Sequence, residues 1–219
     1  LFENYVAEQE LLDLFVEGWR KAGVYDSLQS DSGMSRSGER PGSDGFWVAV
    51  LPFSSSSAES KPLADGVFEE IVSGLARFSY LSVIGRGMTL RYAGQNVDLR
   101  SAGRELGARY LLEGGVRQAG SKLRCTTQLV DAATGAQMWT ETYERAFDPA
   151  SIFELQDDLA PRIVSSIADM QGVLPRTIAS ALRNKAHCEL TANEAVLRTF
   201  AYSERATPEE LAETRAGLE

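Results

Sequence analysis

The spacing of hydrophobic and polar positions predicts strands and helices that alternate from residue 46 onward. FWVAVLPF at 46–53 is a short apolar run, which favours a buried strand. Residues 62–79 repeat apolar side chains at helical spacing, and LSVIGR at 81–86 again predicts a strand. In DLRSAGREL, Asp98 is placed to cap a second helix. The predicted order of this region is therefore β-α-β-α.

Three strand-like stretches follow, and turn sequences separate them. They are Tyr110–Gln118, Lys122–Asp131 and Gln137–Tyr143, joined by AGS and AATG. Such short connections predict an antiparallel meander. The complete order β-α-β-α-β-β-β predicts an α/β (α+β) fold, with a mixed sheet of about five strands and helices on one face.

The rest of the chain is predicted to be a helix, a linker and further helices. Residues 1–25 have helical spacing and are interpreted as part of an upstream region, whereas 26–45 form a polar linker rich in Ser and Gly. We place the sheet domain at 46–150 and a long connecting helix or helices at 151–185. An α-helical, repeat-like hairpin is predicted at 186–219.

The connecting segment begins with a helix-start signal. Ser151 and Glu154 have the spacing of a capping box, so the helix is expected to begin there. Pro161 lies inside the helical pattern and should kink it.

Charge and composition argue against several classes of partner. The net charge of −9 opposes attachment to nucleic acid or anionic lipid, so we expect no direct nucleic-acid binding. No stretch approaches the length of an apolar membrane span, and the acidic start is unlike a secretory signal. Two cysteines give no disulfide framework, which favours the cytoplasm. A membrane span upstream would instead place the chain in the periplasm.

Residues that could carry chemistry are few. His187 is the single histidine, and with Cys188 it is interpreted as a helix-surface pair rather than a metal site. Glu154, Asp157 and Asp158 are interpreted as acids favoured by a helix dipole, rather than as a metal or acid–base cluster. We therefore predict that this chain is not an enzyme and has neither cofactor nor metal.

Two groups of side chains are candidates for interaction. Arg86, Arg91 and Arg104 cluster around the loop and the second helix, where they form either a partner patch or solvated surface. Trp139 and Tyr143 share one side of the last strand, where they either stack on a ligand or pack in the core.

The glycines at 114 and 115 lack the spacing of phosphate-binding loops. A bulge or the close approach of another element explains them better.

Several motifs together resemble the TolB-like domain of bacterial regulatory proteins. These are VLPF, ADG, RELGARYLLEGGVR, QLVDAATGAQMW and IFELQDDLA, and the resemblance covers about residues 46–170. It implies the fold of the amino-terminal domain of TolB. It also implies an output domain in cis, either a class III nucleotide cyclase or a winged-helix DNA-binding domain, and tetratricopeptide repeats at the other end. The polar linker and the atypical last hairpin depart from the usual pattern.

The resemblance leads to a regulatory hypothesis. The chain is interpreted as a non-catalytic module that binds a protein or peptide partner and controls the output domain. Two alternatives remain, namely part of a class III adenylate cyclase polypeptide and an envelope scaffold like TolB. Because a lone repeat cannot bury its apolar face, the protein is expected to continue beyond Glu219. Phe200 and Leu211 are expected to mediate a homodimer through the C-terminal helices.

Overall fold

The computed structural model describes residues 46–182 and the helical positions 194, 197 and 198. The described residues form six strands: β1 (Phe46–Val50), β2 (Ser54–Ser55), β3 (Leu81–Val83), β4 (Tyr110–Ala119), β5 (Lys122–Asp131) and β6 (Ala136–Ala146). The helices within 46–182 are α1 (Lys61–Leu75), α2 (Arg86–Thr89), α3 (Leu99–Leu106), α4 (Ile152–Ala168) and α5 (Val173–Leu182). Short 3-10 turns occupy Leu90–Tyr92 and Pro149–Ser151. None of the described helices has the length and apolar character needed to cross a bilayer.

The strands form one mixed sheet in the order β3-β1-β4-β5-β6, and the short strand β2 also pairs with β4. Strands β3, β1 and β4 are parallel, whereas β4, β5 and β6 form an antiparallel meander. The predicted mixed sheet and its chain order are confirmed. Sequence patterns missed β2, which has two residues, and α2, which has four. Both are too short to produce a hydrophobic period.

Helices cover both faces of the sheet. On one face, Ala49, Leu51 and Leu111 form a buried cluster with Ala102 and Leu106 of α3. The pleat places the neighbouring side chains of β1 and β4 on the opposite face. The strand register continues that second face across the meander to Tyr143.

Helices α1 and α4 pack together over the second face. Gln156 of α4 donates a hydrogen bond to the carbonyl of Pro62 in α1, at 3.1 Å. Arg145 of β6 reaches Asp158 of α4 at 2.7 Å, which fixes α4 above the meander. The prediction that the two helices of the β-α-β-α order, α1 and α3, lie on one face is wrong. Helix α3 takes the other face because right-handed crossovers that run in opposite directions across a sheet leave on opposite sides.

The predicted cap of the second helix is confirmed. The Asp98 side chain accepts hydrogen bonds from the backbone N–H of Arg100 at 3.3 Å and from the Ser101 hydroxyl at 2.6 Å. The helix ends at Gly107, whose φ of 66° lies in the left-handed region that glycine adopts without steric cost.

The predicted capping box at Ser151 is wrong. The Ser151 hydroxyl donates to the carbonyl of Asp148 at 3.0 Å and makes no cap hydrogen bond to α4. The Asp148 side chain accepts instead from the N–H of Ala150 at 2.9 Å. An Asp–Pro 3-10 turn therefore precedes the helix, and it uses the hydroxyl that the capping box required.

Helix α5 belongs to a second compact unit of the chain and is described by itself. It buries Leu174, Ile178 and Leu182, which recur at helical spacing along one side. The predictions for 1–25 and 26–45 concern residues outside the described ones. The same holds for the hairpin at 186–219, apart from the helical positions 194, 197 and 198.

Candidate functional site

An open groove separates the last strand from the long helix, and its volume is about 390 Å³. The strand contributes alternate side chains of β6, and the helix contributes one turn and the start of the next. Its lining residues are Glu141, Tyr143, Pro161, Arg162, Ser165 and Ser166.

Pro161 lies on the helix side of the groove without ending the helix. Proline has no N–H, so the carbonyl of Asp157 loses its usual intrahelical donor. Helix α4 nevertheless continues to Ala168. One exposed turn of α4 therefore presents a peptide carbonyl that remains able to accept a hydrogen bond.

A carboxylate shared by two arginines lies beside the groove, in contact with its lining residue Arg162. Asp158 accepts from Nε of Arg145 and from Nε of Arg162, each at 2.7 Å. Hydrogen bonds from Arg162 first, and then from Arg145, hold the pKa of Asp158 below its usual value. Both guanidinium groups are thereby engaged with the same acid, whose single negative charge balances one of their two positive charges.

A second carboxylate, which lines the groove, has only neutral hydrogen-bond partners among the described residues. Glu141 accepts from the Tyr143 hydroxyl at 2.9 Å and from the Ser166 hydroxyl at 3.3 Å. No ion pair involving Glu141 occurs in the described part of the chain. Burial, with this hydrogen bond to Glu141 as the next cause, raises the pKa of Tyr143 far above its ordinary value, so the phenol stays protonated and acts as a donor.

Strand β5, which pairs with β6 next to the groove, carries a buried hydroxyl and a buried thiol. Thr127 pairs with Glu141 in the sheet register, and its hydroxyl is buried without a hydrogen-bond partner. Cys125, which pairs with Tyr143, is also fully buried, and burial raises the pKa of its thiol to about 12. The thiolate is therefore strongly disfavoured, and Cys125 behaves as a small apolar core residue.

The arginines predicted as a patch lie near α2 and α3, away from the groove. Arg86 forms an ion pair with Glu69 at 2.6 Å, and Arg91 pairs with Glu105 at 3.2 Å. Arg104 donates to the Ser101 hydroxyl at 3.0 Å. Two of the three arginines therefore form ion pairs with glutamates.

The remaining predicted interaction residues, Phe200 and Leu211, lie outside the described residues. So do His187 and Cys188.

Sequence reasoning singled out one residue of the groove for interaction and missed the rest. Tyr143 was considered together with Trp139, and the two do share a face of β6. The missed residues that carry charge or hydrogen bonds are Glu141, Arg162 and Ser166. The alternation in TETYER places Glu141 beside Tyr143, but nothing in the local sequence indicates which helix covers that face.

The glycine at 114 has the close neighbour that the sequence suggested. A Cβ at Gly114 would lie 2.7 Å from the Phe53 ring and 2.8 Å from the carbonyl oxygen of Thr126. The chain after β1 therefore approaches β4 too closely for a side chain at this position.

Comparison with known proteins assigns this domain to a family. Residues 44–162 match the second domain of HilA/YgeH-like transcriptional regulators, and this range covers more than half of the chain. The chain belongs to that family. The matched range includes the whole sheet and the helix turn that carries Pro161 and Arg162.

The chain is also similar to a protein with a different kind of name. The chain is 39% identical over 122 residues to a protein named putative adenylate cyclase 3, from Rhizobium meliloti strain 1021. The match covers 55% of this chain and 20% of that protein. The chain thus spans about a fifth of the relative's length.

Solved structures with a similar arrangement come from several bacterial proteins. The PelC dodecamer from Paraburkholderia phytofirmans aligns with a TM-score of 0.41 and 20% identity, over 56% of this chain and 86% of that one. Lipoprotein GNA1162 from Neisseria meningitidis aligns at 0.39 and 15%, over 56% and 99%. TolB from Acinetobacter baumannii aligns at 0.36 and 14%, over 58% and 29%. All three TM-scores lie below 0.5, so the TolB-like resemblance stays a prediction from the sequence.

Proposed function

We propose that this domain is a non-catalytic regulatory and protein-binding module of a larger bacterial signalling protein, where it controls a nucleotide cyclase or a transcriptional output domain. One observation carries the proposal. The chain belongs to a transcriptional-regulator family over residues 44–162, and 122 of its residues match a fifth of a relative named as a cyclase. A domain that accompanies different outputs is better explained by control or binding than by the output chemistry itself.

The groove supports a binding role over a catalytic one. Asp158 is held between two arginines, and Glu141 is oriented by two hydroxyl groups. These contacts fix the positions of polar groups on a rigid strand and helix, as recognition requires. The alternative that the chain is part of an adenylate cyclase polypeptide remains compatible with the proposal, because the regulatory domain and the catalytic domain would then share one chain.

The remaining parts of the proposal rest on the sequence alone. They are an output domain upstream in cis, tetratricopeptide repeats after residue 186, a cytoplasmic location and a partner patch at Arg86, Arg91 and Arg104. A homodimer through Phe200 and Leu211 belongs to the same set.

The decisive experiment compares the isolated chain with the full-length protein. The isolated chain should produce no cyclic nucleotide from ATP or GTP with magnesium or manganese, and turnover above a no-protein control would refute a non-catalytic role. In the full-length protein, Glu141→Gln should change cyclase activity or promoter binding. The control Glu70→Gln removes the same charge from an exposed position of α1 and should leave the output unchanged. An output unaffected by Glu141→Gln and by deletion of 46–168 would refute regulation.

A further inference from the structure

Along one side of β6 the peptide groups pair with no other described strand, and one of their carbonyls, that of Glu144, accepts a hydrogen bond from Nη1 of Arg145 at 2.9 Å. Among the described strands, β6 pairs only with β5 and therefore lies at an edge of the sheet. The N–H of Phe147 donates to the carbonyl of Ser121, and the N–H of Ala132 donates to that of Arg109. Peptide groups that point to opposite sides alternate along an antiparallel strand. The first bond therefore shows that the odd-numbered residues of β6 point to β5. The second shows that the even-numbered residues of β5 point to β4, so its odd-numbered residues point to β6, in agreement with the first. The even-numbered residues from Thr140 to Ala146 point to the edge.

This half of the edge has only part of the usual protection against pairing. Edge strands are commonly blocked by proline, by charged side chains, lysine above all, or by a bulge. The stretch from Thr140 to Ala146 has charged side chains at Glu141, Glu144 and Arg145 but no proline or lysine, and the register irregularity of the β5–β6 pair lies before it, at Leu129/Val130. A regular segment of seven residues is therefore geometrically able to accept another strand.

The groove beside this edge offers a positive charge one carboxylate, Glu141, that has no ion pair among the described residues. Side chains of an added strand would alternate between the two sheet faces, and one set would enter the space between β6 and α4. There, Glu141 has only hydroxyl partners, whereas Arg145 and Arg162 are both engaged with Asp158. The chain's net charge of −9 further favours a basic partner and opposes pairing between two copies.

We propose that β6 binds an extended, basic segment of a partner protein as an added strand, with a lysine or arginine side chain directed to Glu141. Main-chain hydrogen bonds to Thr140–Ala146 supply the pairing, in which the added strand replaces Arg145 as the donor to the Glu144 carbonyl, and Glu141 supplies the charge preference. This proposal rests on the protein-binding role proposed above and names the chemistry of the partner.

A pair of synthetic peptides tests the charge preference. The probes are fluorescein-labelled heptapeptides, one of alternating threonine and lysine and the other of alternating threonine and glutamate, titrated with the full chain at low salt. We expect the lysine peptide to bind and the glutamate peptide not to bind. Glu141→Gln should weaken lysine-peptide binding by about five-fold, the size of a partly exposed ion pair. The control Glu70→Gln removes the same charge from an exposed position of α1, away from the edge, and should change affinity by less than about two-fold.

Hydrogen exchange in the unaltered chain tests the strand pairing. Saturating lysine peptide should slow exchange of the outward amides of Thr142, Glu144 and Ala146. The amides of Tyr143 and Arg145 are already directed to β5 and should change little. Protection elsewhere with no change along β6 would overturn the proposal, as would equal affinity for the two peptides.

Further outcomes separate this site from its alternatives. If the chain forms a concentration-dependent dimer that protects the same β6 amides, the edge belongs to a second copy and the proposal is wrong. If the peptides fail to bind while Glu141→Gln still alters the output of the full-length protein, the edge-strand proposal fails and the regulatory function stands. If the lysine peptide protects β6 as expected but the output never responds, the edge-strand proposal stands and the regulatory function fails.

Discussion

The packing of α3 against the end of β5 predicts that one alanine substitution will destabilise a helix that it should intrinsically favour. Gly103 lies inside α3 and is buried. A Cβ built there would lie 2.3 Å from the Cβ of Ala132 and 3.0 Å from the carbonyl oxygen of Ala108. The first distance is about 1 Å short of ordinary contact, and both neighbours are too short to rotate away.

The expected magnitude follows from two opposing effects. Alanine is favoured over glycine in a helix interior by about 1 kcal/mol. Extra volume forced into a packed core costs about 1–3 kcal/mol. Gly103→Ala should therefore lower the free energy of unfolding by about 1 kcal/mol. Gly87→Ala in α2 provides the control, because nothing lies within 4 Å of its Cβ position and the same substitution should be neutral or stabilising.

Urea denaturation followed by tryptophan fluorescence measures both variants, and a compensating change identifies the contact. Removing the opposing methyl group with Ala132→Gly should relieve the clash, so that the double variant Gly103→Ala/Ala132→Gly loses less stability than the two single variants added together. A Gly103→Ala chain as stable as the unaltered chain would refute the packing argument. Strict additivity in the double variant would refute the assignment of the clash to Ala132.

Two further predictions concern ionisation. Because the pKa of Asp158 is lowered in the folded chain, its ion pairs stabilise the fold above the unfolded pKa, and this contribution is lost as pH falls through the folded pKa. Asp158→Asn should therefore make the free energy of unfolding fall less steeply with decreasing pH below about pH 4. Urea denaturation at several pH values measures this, and the same pH dependence in the variant and the unaltered chain would contradict the prediction. In a Cys188→Ser background, Cys125 should react with a thiol reagent at pH 8 only after urea unfolding, since burial raises its pKa to about 12. Rapid labelling of the native chain would contradict its burial.

The longer elements could be predicted from sequence because each carries its own hydrophobic period. Strand β5 alternates buried and exposed side chains along most of its length, and α1 buries one apolar side, so local patterns suffice for both. The capping-box prediction at Ser151 is wrong because a capping box and a short Asp–Pro turn use the same hydroxyl. Choosing between them depends on how the chain leaves β6, which the Ser151–Glu154 spacing does not encode.

The groove could not be predicted because its charge balance arises from pairings across the fold. In the sequence, Arg145 stands next to Glu144 and four residues after Glu141, so either acid is a plausible partner. The structure joins Arg145 to Asp158 of α4 and leaves Glu141 with hydroxyl groups. An uncompensated carboxylate beside an open strand edge is therefore a property of how α4 lies on the sheet. Glu141 and Glu144 carry the same charge on the same strand, but only Glu141 faces α4. We therefore expect the two carboxylates to differ in function.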